Sequence, residues 1–258
     1  MITNSSNTFR VAVVTGGAMG IGAASAQRLA ELGHQVFIAD RDYPSAQDTA
    51  DKLCLLGHRV NAVMMDVSSP ESIADAFEHI AQKAGRCDIL VNSAGVATVA
   101  PFVDFPLDEF QRTMNINVTG TMLCSQYAAR LMKNHNWGRI INIASVAGMR
   151  AVGSGRTAYG TSKGAVIALT RQMAVELAEF GITANAVCPG PVDTPLTQKL
   201  HSAEFRQAYA KAIPMERYGS VNEIASVVEF LASTQASYIT GIAMPVDGGF
   251  LASGARGL

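Results

Sequence analysis

The sequence predicts an α/β fold: one domain built on a doubly wound parallel sheet with helices on both faces. Three observations predict it. Short, almost wholly apolar runs recur along the chain, as strands buried on both faces of a parallel sheet require. A segment of helical periodicity follows nearly every run, and that alternation calls for crossover helices between parallel strands. A glycine-rich turn closes the first run, at the carboxyl edge where such sheets receive ligands.

The elements follow in order. Val11–Val14 is the first strand, closed by Thr15-Gly16-Gly17. Ile21, Ala24, Leu29 and Leu32 share one helical face, and Gly33 stops that helix. Next come a strand over Gln35–Asp40, a helix over Ser45–Leu56, a strand over Val60–Asp66 and a helix over Pro70–Ala84. The second half repeats the rhythm. It has a strand over Ile89–Asn92, a long helix over Leu107–Lys133, a strand over Arg139–Ile143, a long helix over Ala158–Glu179 and a strand over Thr183–Val187. A helix over Val221–Leu231 and a strand over Ala243–Val246 close the pattern. Residues 189–214 are expected to be a mobile loop over the site. Residues 1–9 are expected to be a flexible segment and residues 10–258 a single domain, since no linker, repeat or composition break divides them.

Composition narrows the function. The chain has 258 residues, 48% hydrophobic and 16% charged, enough apolar material for a sizeable core. Its net charge of -1 is dispersed, which argues against nucleic acid and anionic membranes as partners. No apolar run approaches the ~20 residues needed to span a bilayer, and Met1–Thr8 lacks the apolar core of a secretory signal. Cys54, Cys87, Cys124 and Cys188 are far apart, so free thiols in a reducing cytoplasm are expected, and no histidine pair has ligand spacing for a metal.

Thr15-Gly16-Gly17-Ala18-Met19-Gly20-Ile21-Gly22 joins the first strand to its helix. Glycines there allow a tight turn and close approach of the backbone to a pyrophosphate, and the helix amides then face its charge. Asp40 ends the second strand, where a carboxylate accepts hydrogen bonds from both ribose hydroxyls and repels a 2′-phosphate. Arg41 beside it has the opposite preference, but its charge does not sit against the ribose, so NAD is expected over NADP.

Tyr159 and Lys163 are four apart near the start of a long helix and so share a face. A free phenol titrates near about 10, and a neighbouring ammonium is expected to bring it towards working pH. Ser145 stands just past a strand end, placed to hold a substrate oxygen.

In these motifs the chain resembles the short-chain dehydrogenase/reductase family over residues 10–250. The glycine turn matches TGxxxGxG, Tyr159-Gly-Thr-Ser-Lys163 matches YxxxK, and Asn92-Ser93-Ala94-Gly95 resembles NNAG with Ser for the second Asn. Asn117, Pro189-Gly190 and Val246-Asp247-Gly248-Gly249 match the remaining signatures. The resemblance implies a Rossmann-type domain, with catalysis by Asn117, Ser145, Tyr159 and Lys163, where Lys163 also holds the nicotinamide ribose and Asn117 anchors a water. It implies cofactor contacts from Thr15, Gly16, Met19, Gly20, Ile21, Gly22, Asp40, Arg41, Asp66, Val67, Asn92, Ala94 and Gly95. Tyr159, Lys163, Pro189, Gly190, Val192 and Thr194 complete that set.

The expected activity is hydride transfer between NAD and a secondary alcohol or ketone of polyol, sugar or hydroxy-acid type. The chain also resembles 3-oxoacyl-acyl-carrier-protein reductases, which use NADPH, and Asp40 argues against that alternative. A catalytically silent scaffold is disfavoured by the intact residue set. Substrate contacts are expected from Ser145, Ala147, Tyr159, Pro191 and Leu196; Arg150 and Arg156 are either guanidinium partners for an anionic substrate or surface residues facing solvent or a neighbouring subunit. The two long helices are apolar around much of their circumference, and family resemblance points to a homotetramer.

Overall fold

The computed structural model describes residues 9–253. Seven parallel strands form one sheet in the order β3-β2-β1-β4-β5-β6-β7. They are β1 (Val11–Thr15), β2 (Gln35–Asp40), β3 (Val60–Met64), β4 (Ile89–Asn92), β5 (Gly138–Ile143), β6 (Ile182–Pro189) and β7 (Ala243–Val246). Strand pairing is in register across the centre, with Val14 opposite Ile38 on one side and Val91 on the other.

The alternation along β1 explains why its run is apolar throughout. Ala12 and Val14 face one core with α1 (Gly20–Glu31), α2 (Tyr43–Leu55) and α9 (Val221–Ala232). Val11 and Val13 face the other with α3 (Pro70–Ala84), α5 (Thr121–Lys133) and α6 (Thr157–Leu177). The prediction of a doubly wound parallel sheet with both faces covered holds. Chain order reverses between β1 and β4, and this switch point opens the crevice in which ligands of such sheets bind.

The sequence and the structure differ chiefly in two places. The helix expected over Leu107–Lys133 is three segments: α4 (Leu107–Met114), a π-helical turn over Asn115–Gly120, and α5. The stretch 189–214 is not a bare loop, since it contains α7 (Pro195–Leu200) and α8 (Ala203–Ala212). Thr194 caps α7 by accepting from Thr197 N at 3.2 Å, and Ser202 caps α8 in the same way from Phe205 N. Of the flexible segment expected over residues 1–9, residues 1–8 lie outside the described residues, and the Phe9 ring packs 4.1 Å from the Arg59 guanidinium.

Asp88 ties down the amino-terminal edge of the sheet, opposite the crevice. Fully buried, it accepts from Val11 N at 2.8 Å and from Arg86 through Nε at 2.8 Å and Nη2 at 2.6 Å. Among the described residues no helix is long and apolar enough to cross a membrane.

Candidate active site

The crevice is a cleft of about 720 Å³ at the carboxyl ends of the central strands. Its floor is bare backbone. Gly16 has φ +62°, and a Cβ there would come within 2.7 Å of Ala94 Cα, so the first and fourth strand ends meet only because the residue is glycine. A Cβ on Gly22 would stand 2.1 Å from the Gly16 carbonyl oxygen, so Gly22 supports the turn from behind and does not line the cleft. Gly16, Met19, Gly20 and Ile21 line it at the start of α1.

One end is acidic. Asp40, Arg41, Asp42 and Asp66 line it together. The Asp40 carboxylate is fixed by two backbone amides, Ala18 N on Oδ2 and Asp42 N on Oδ1, both at 3.1 Å. A hydrogen bond from the Ser68 hydroxyl holds the Asp66 carboxyl below its ordinary pKa. Val67, Ala94, Gly95, Pro189, Gly190, Val192 and Thr194 continue the walls towards the other end. Asp247 closes the backing of that wall by accepting from Gly249 N and Leu251 N, with Gly190 packed against its Cα.

Ser145, Tyr159 and Lys163 converge at the other end of the cleft. Tyr159 and Lys163 stand on one face of α6, and Ser145, whose Oγ accepts from Ala147 N at 3.1 Å, lines the cleft beside them. Burial pushes the Tyr159 pKa up, while the nearby Ser145 hydroxyl and the Arg156 charge draw it back. Lys163 follows one helical turn later on α6. Its Nζ donates to the Ile143 carbonyl at 2.7 Å and lies 5.8 Å from the centre of the Tyr159 ring. Burial brings the Lys163 pKa down to about 8.

Several expected contacts sit behind the cleft. The Thr15 hydroxyl accepts from Ser93 N and Ala94 N and so shapes the wall without lining it. Asn92 is buried, donating to Asn142 Oδ1 at 2.8 Å and Ser125 Oγ at 3.0 Å, a bracket between strands and helices set behind the cleft wall. Asn117 is buried in the π turn, where it exchanges hydrogen bonds with the Val96 backbone and donates to Ser162 Oγ. It still borders the site, because a side chain on Gly95 would meet Asn117 Oδ1 at 3.3 Å and Lys163 Nζ at 3.5 Å.

Leu196 lines the cleft, whereas Ala147, Pro191, Arg150 and Arg156 do not. Arg150 lies 5.2 Å from the Phe250 ring centre, and Arg156 Nη2 donates to His201 Nε2 at 2.9 Å. Sequence reasoning missed Thr197 and Lys199 on α7, which line the cleft. The signal was present: Thr194-Pro195 is a helix start, with a capping side chain before a proline at the first helical position.

A dinucleotide fits the residues present. Bare glycine backbone receives phosphates, a fixed carboxylate stands at one end, and a tyrosine–lysine–serine group stands at the other. Fold and site together define a nicotinamide-dependent oxidoreductase. Comparison with known proteins agrees: residues 16–251 match the profile of a family described as enoyl-(acyl carrier protein) reductase. The chain is 40% identical over 241 residues to the 3-oxoacyl-[acyl-carrier-protein] reductase of Aquifex aeolicus, covering 93% of this chain and 96% of that one. A short-chain type dehydrogenase/reductase from Mycobacterium marinum superposes with a TM-score of 0.91 at 36% identity, over 95% of this chain and 96% of that one. A gluconate 5-dehydrogenase from Burkholderia cenocepacia, solved with NADP and tartrate, superposes equally well at 33% identity and the same coverage. The chain belongs to the short-chain dehydrogenase/reductase family.

Proposed function

We propose that this protein interconverts a secondary alcohol and its ketone with NAD(H), using Tyr159 as acid and base. The observation that carries this reading is the convergence of Ser145, Tyr159 and Lys163 in the cleft that the Asp40 carboxylate also lines. When bound, the nicotinamide accepts or supplies the hydride. In oxidation Tyr159 as phenolate removes the hydroxyl proton while the Ser145 hydroxyl holds the same oxygen; in reduction Tyr159 returns the proton. In this reading Lys163 holds the ribose nearest the reacting carbon and Asn117 secures the wall behind it, a role supported by the closeness of both side chains to Gly95 on the cleft wall. Because burial keeps the phenol protonated at neutral pH, oxidation should speed up as pH rises and reduction should slow.

NAD is supported by the charge at the adenosine end, where Asp40, Asp42 and Asp66 outnumber Arg41. Two observations favour a second reading, an NADPH-dependent ketoreductase of the 3-oxoacyl-acyl-carrier-protein type: the 40% identity to such an enzyme and the position of Arg41 in the cleft. Four unpaired thiols support a reducing compartment such as the cytoplasm. The helices over 195–212 serve as the lid. Tyr159→Phe tests the chemistry. It should keep the fold and cofactor affinity and lose at least a thousandfold in kcat, in line with loss of general acid–base catalysis. A variant retaining a tenth of the activity would remove Tyr159 from the mechanism.

A further inference from the structure

Near Tyr159, the residues between and after the lid helices present a cluster that the proposed chemistry does not use. Arg156 stands one turn before Tyr159, its carbonyl accepting from Gly160 N at 2.8 Å. Its guanidinium donates to His201 Nε2, so that nitrogen carries no proton. Burial and the charges of Arg156 and Arg206 hold His201 below its ordinary pKa, which keeps the ring neutral. Its proton therefore sits on Nδ1 and is donated to the Tyr218 hydroxyl at 3.0 Å. That single bond leaves most of the five N–H donors of Arg156 unspent. Among the described residues no carboxylate lies within 4.0 Å of it.

Tyr209 on α8 faces the same space. Its ring packs against Phe205 and Phe250, each with centres 5.5 Å apart. Its hydroxyl has no hydrogen-bond partner among the described residues, while Arg156, Arg150 and Tyr159 all lie within electrostatic reach of it. A half-buried guanidinium without a counter-ion and an unpaired phenol therefore meet around His201, both within electrostatic reach of the reacting tyrosine. A partly desolvated cation is costly until an anion completes it.

We propose that Arg156 and Tyr209 form a subsite for an oxyanion on the substrate, a carboxylate or a phosphate, and that this subsite selects anionic alcohols over neutral ones. The inference rests on the oxidoreductase reading above and names its substrate class. Arg156 supplies a planar pair of donors matched to two anion oxygens, and Tyr209 supplies a third. Arg150, seated over Phe250, adds positive potential behind them.

The test measures kcat/KM with NAD and with NADP for a four-carbon hydroxy acid, glycerol phosphate and a four-carbon diol. The wild type should favour at least one anion over the diol by tenfold or more, and the favoured anion tells carboxylate from phosphate. Arg156→Leu should reduce that preference ten- to a hundredfold, as loss of a charged hydrogen bond implies. Arg156→Lys should keep part of it, and Tyr209→Phe should lower it several-fold. If Arg156→Leu does not fold, the Lys and Phe variants carry the test. A preference unchanged in these variants, or absent from the wild type, overturns the subsite and leaves the oxidoreductase reading intact. No turnover of any substrate with either cofactor overturns the oxidoreductase reading itself.

Discussion

Replacing Asp40 with alanine is the sharpest test of cofactor choice, because the structure fixes what the carboxylate has left to give. Each oxygen already accepts one backbone amide, from Ala18 and from Asp42. Each keeps a further lone pair, enough for the two hydroxyls of a ribose diol. Two charge-assisted hydrogen bonds are worth about 1.5–3 kcal/mol apiece when buried. Asp40 is half-exposed, so screening by water brings the pair down to about 2–3 kcal/mol. Asp40→Ala should therefore raise KM for NAD about thirty- to a hundred-and-fiftyfold. It should also relieve the repulsion of a 2′-phosphate and leave Arg41 free to attract it, so NADP should improve. Asp40→Asn keeps an acceptor and removes the charge, which separates hydrogen bonding from repulsion. Steady-state kinetics with both cofactors, checked by direct titration of binding, reads both effects. The wild type should favour NAD at least tenfold in kcat/KM, about 1.4 kcal/mol. Equal or better use of NADP by the wild type, or an unchanged KM for NAD in Asp40→Ala, would refute the reasoning.

Three other outcomes follow from features away from the ribose. Lys163 has a pKa of about 8 in the fold and 10.5 as its unperturbed value, so between those values the unfolded chain holds more protons and stability gains as pH rises. Below pH 8 the fold bears the full cost, about 3 kcal/mol. Lys163→Met should then stabilise the protein at pH 7 by about 1–3 kcal/mol in urea unfolding while abolishing turnover, and a loss of stability would count against this account. Asp88→Ala should cost about 3 kcal/mol, since Val11 N is left buried without a partner and two arginines lose their carboxylate, and should lower Tm by about 6–10 °C. Its kcat at 25 °C should not change, because the sheet separates Asp88 from the cleft. On assembly, α6 leaves Val175 76% exposed, and light scattering at micromolar concentration should find a tetramer; monomer alone would reject that proposal.

The strands were legible because both sheet faces are covered. Val11 and Val13 enter one core and Ala12 and Val14 the other, so no polar residue interrupts the run. The glycine turn, Asp40 and the Tyr159–Lys163 pair were legible because backbone approach, strand ends and helical spacing are local properties. What escaped was set by tertiary packing. Asn92 was read as a cofactor contact, but only the fold shows that Asn142 and Ser125 take its amide protons. The π turn at Asn115–Gly120 left no mark on the pattern, because one displaced hydrogen bond changes neither composition nor polarity. Arg156 was visible as a charge near the site, yet its partner His201 lies far along the chain, at the junction of two helices in a stretch that the sequence reading took for loop.

The π turn also separates two alignments that an unbroken helix would lock together. Each residue of an α-helix advances the azimuth by about 100°, so a helix running straight from Leu107 to Lys133 would fix where α5 points from where α4 points. The wider turn at Asn115–Gly120 carries a residue that the surrounding hydrogen-bond ladder does not need. Removing one residue there would restore an even ladder and swing every side chain after it by about a quarter turn. Cys124, Ala128 and Met132 would leave the sheet, and Asn117 would leave Val96. The surplus residue lets α5 seat its apolar face on the strands while the segment just before it turns an asparagine inward. In this stretch, length is a coded quantity as much as residue type. Homologous chains should tolerate substitution at Asn115 and Val118 more readily than any insertion or deletion.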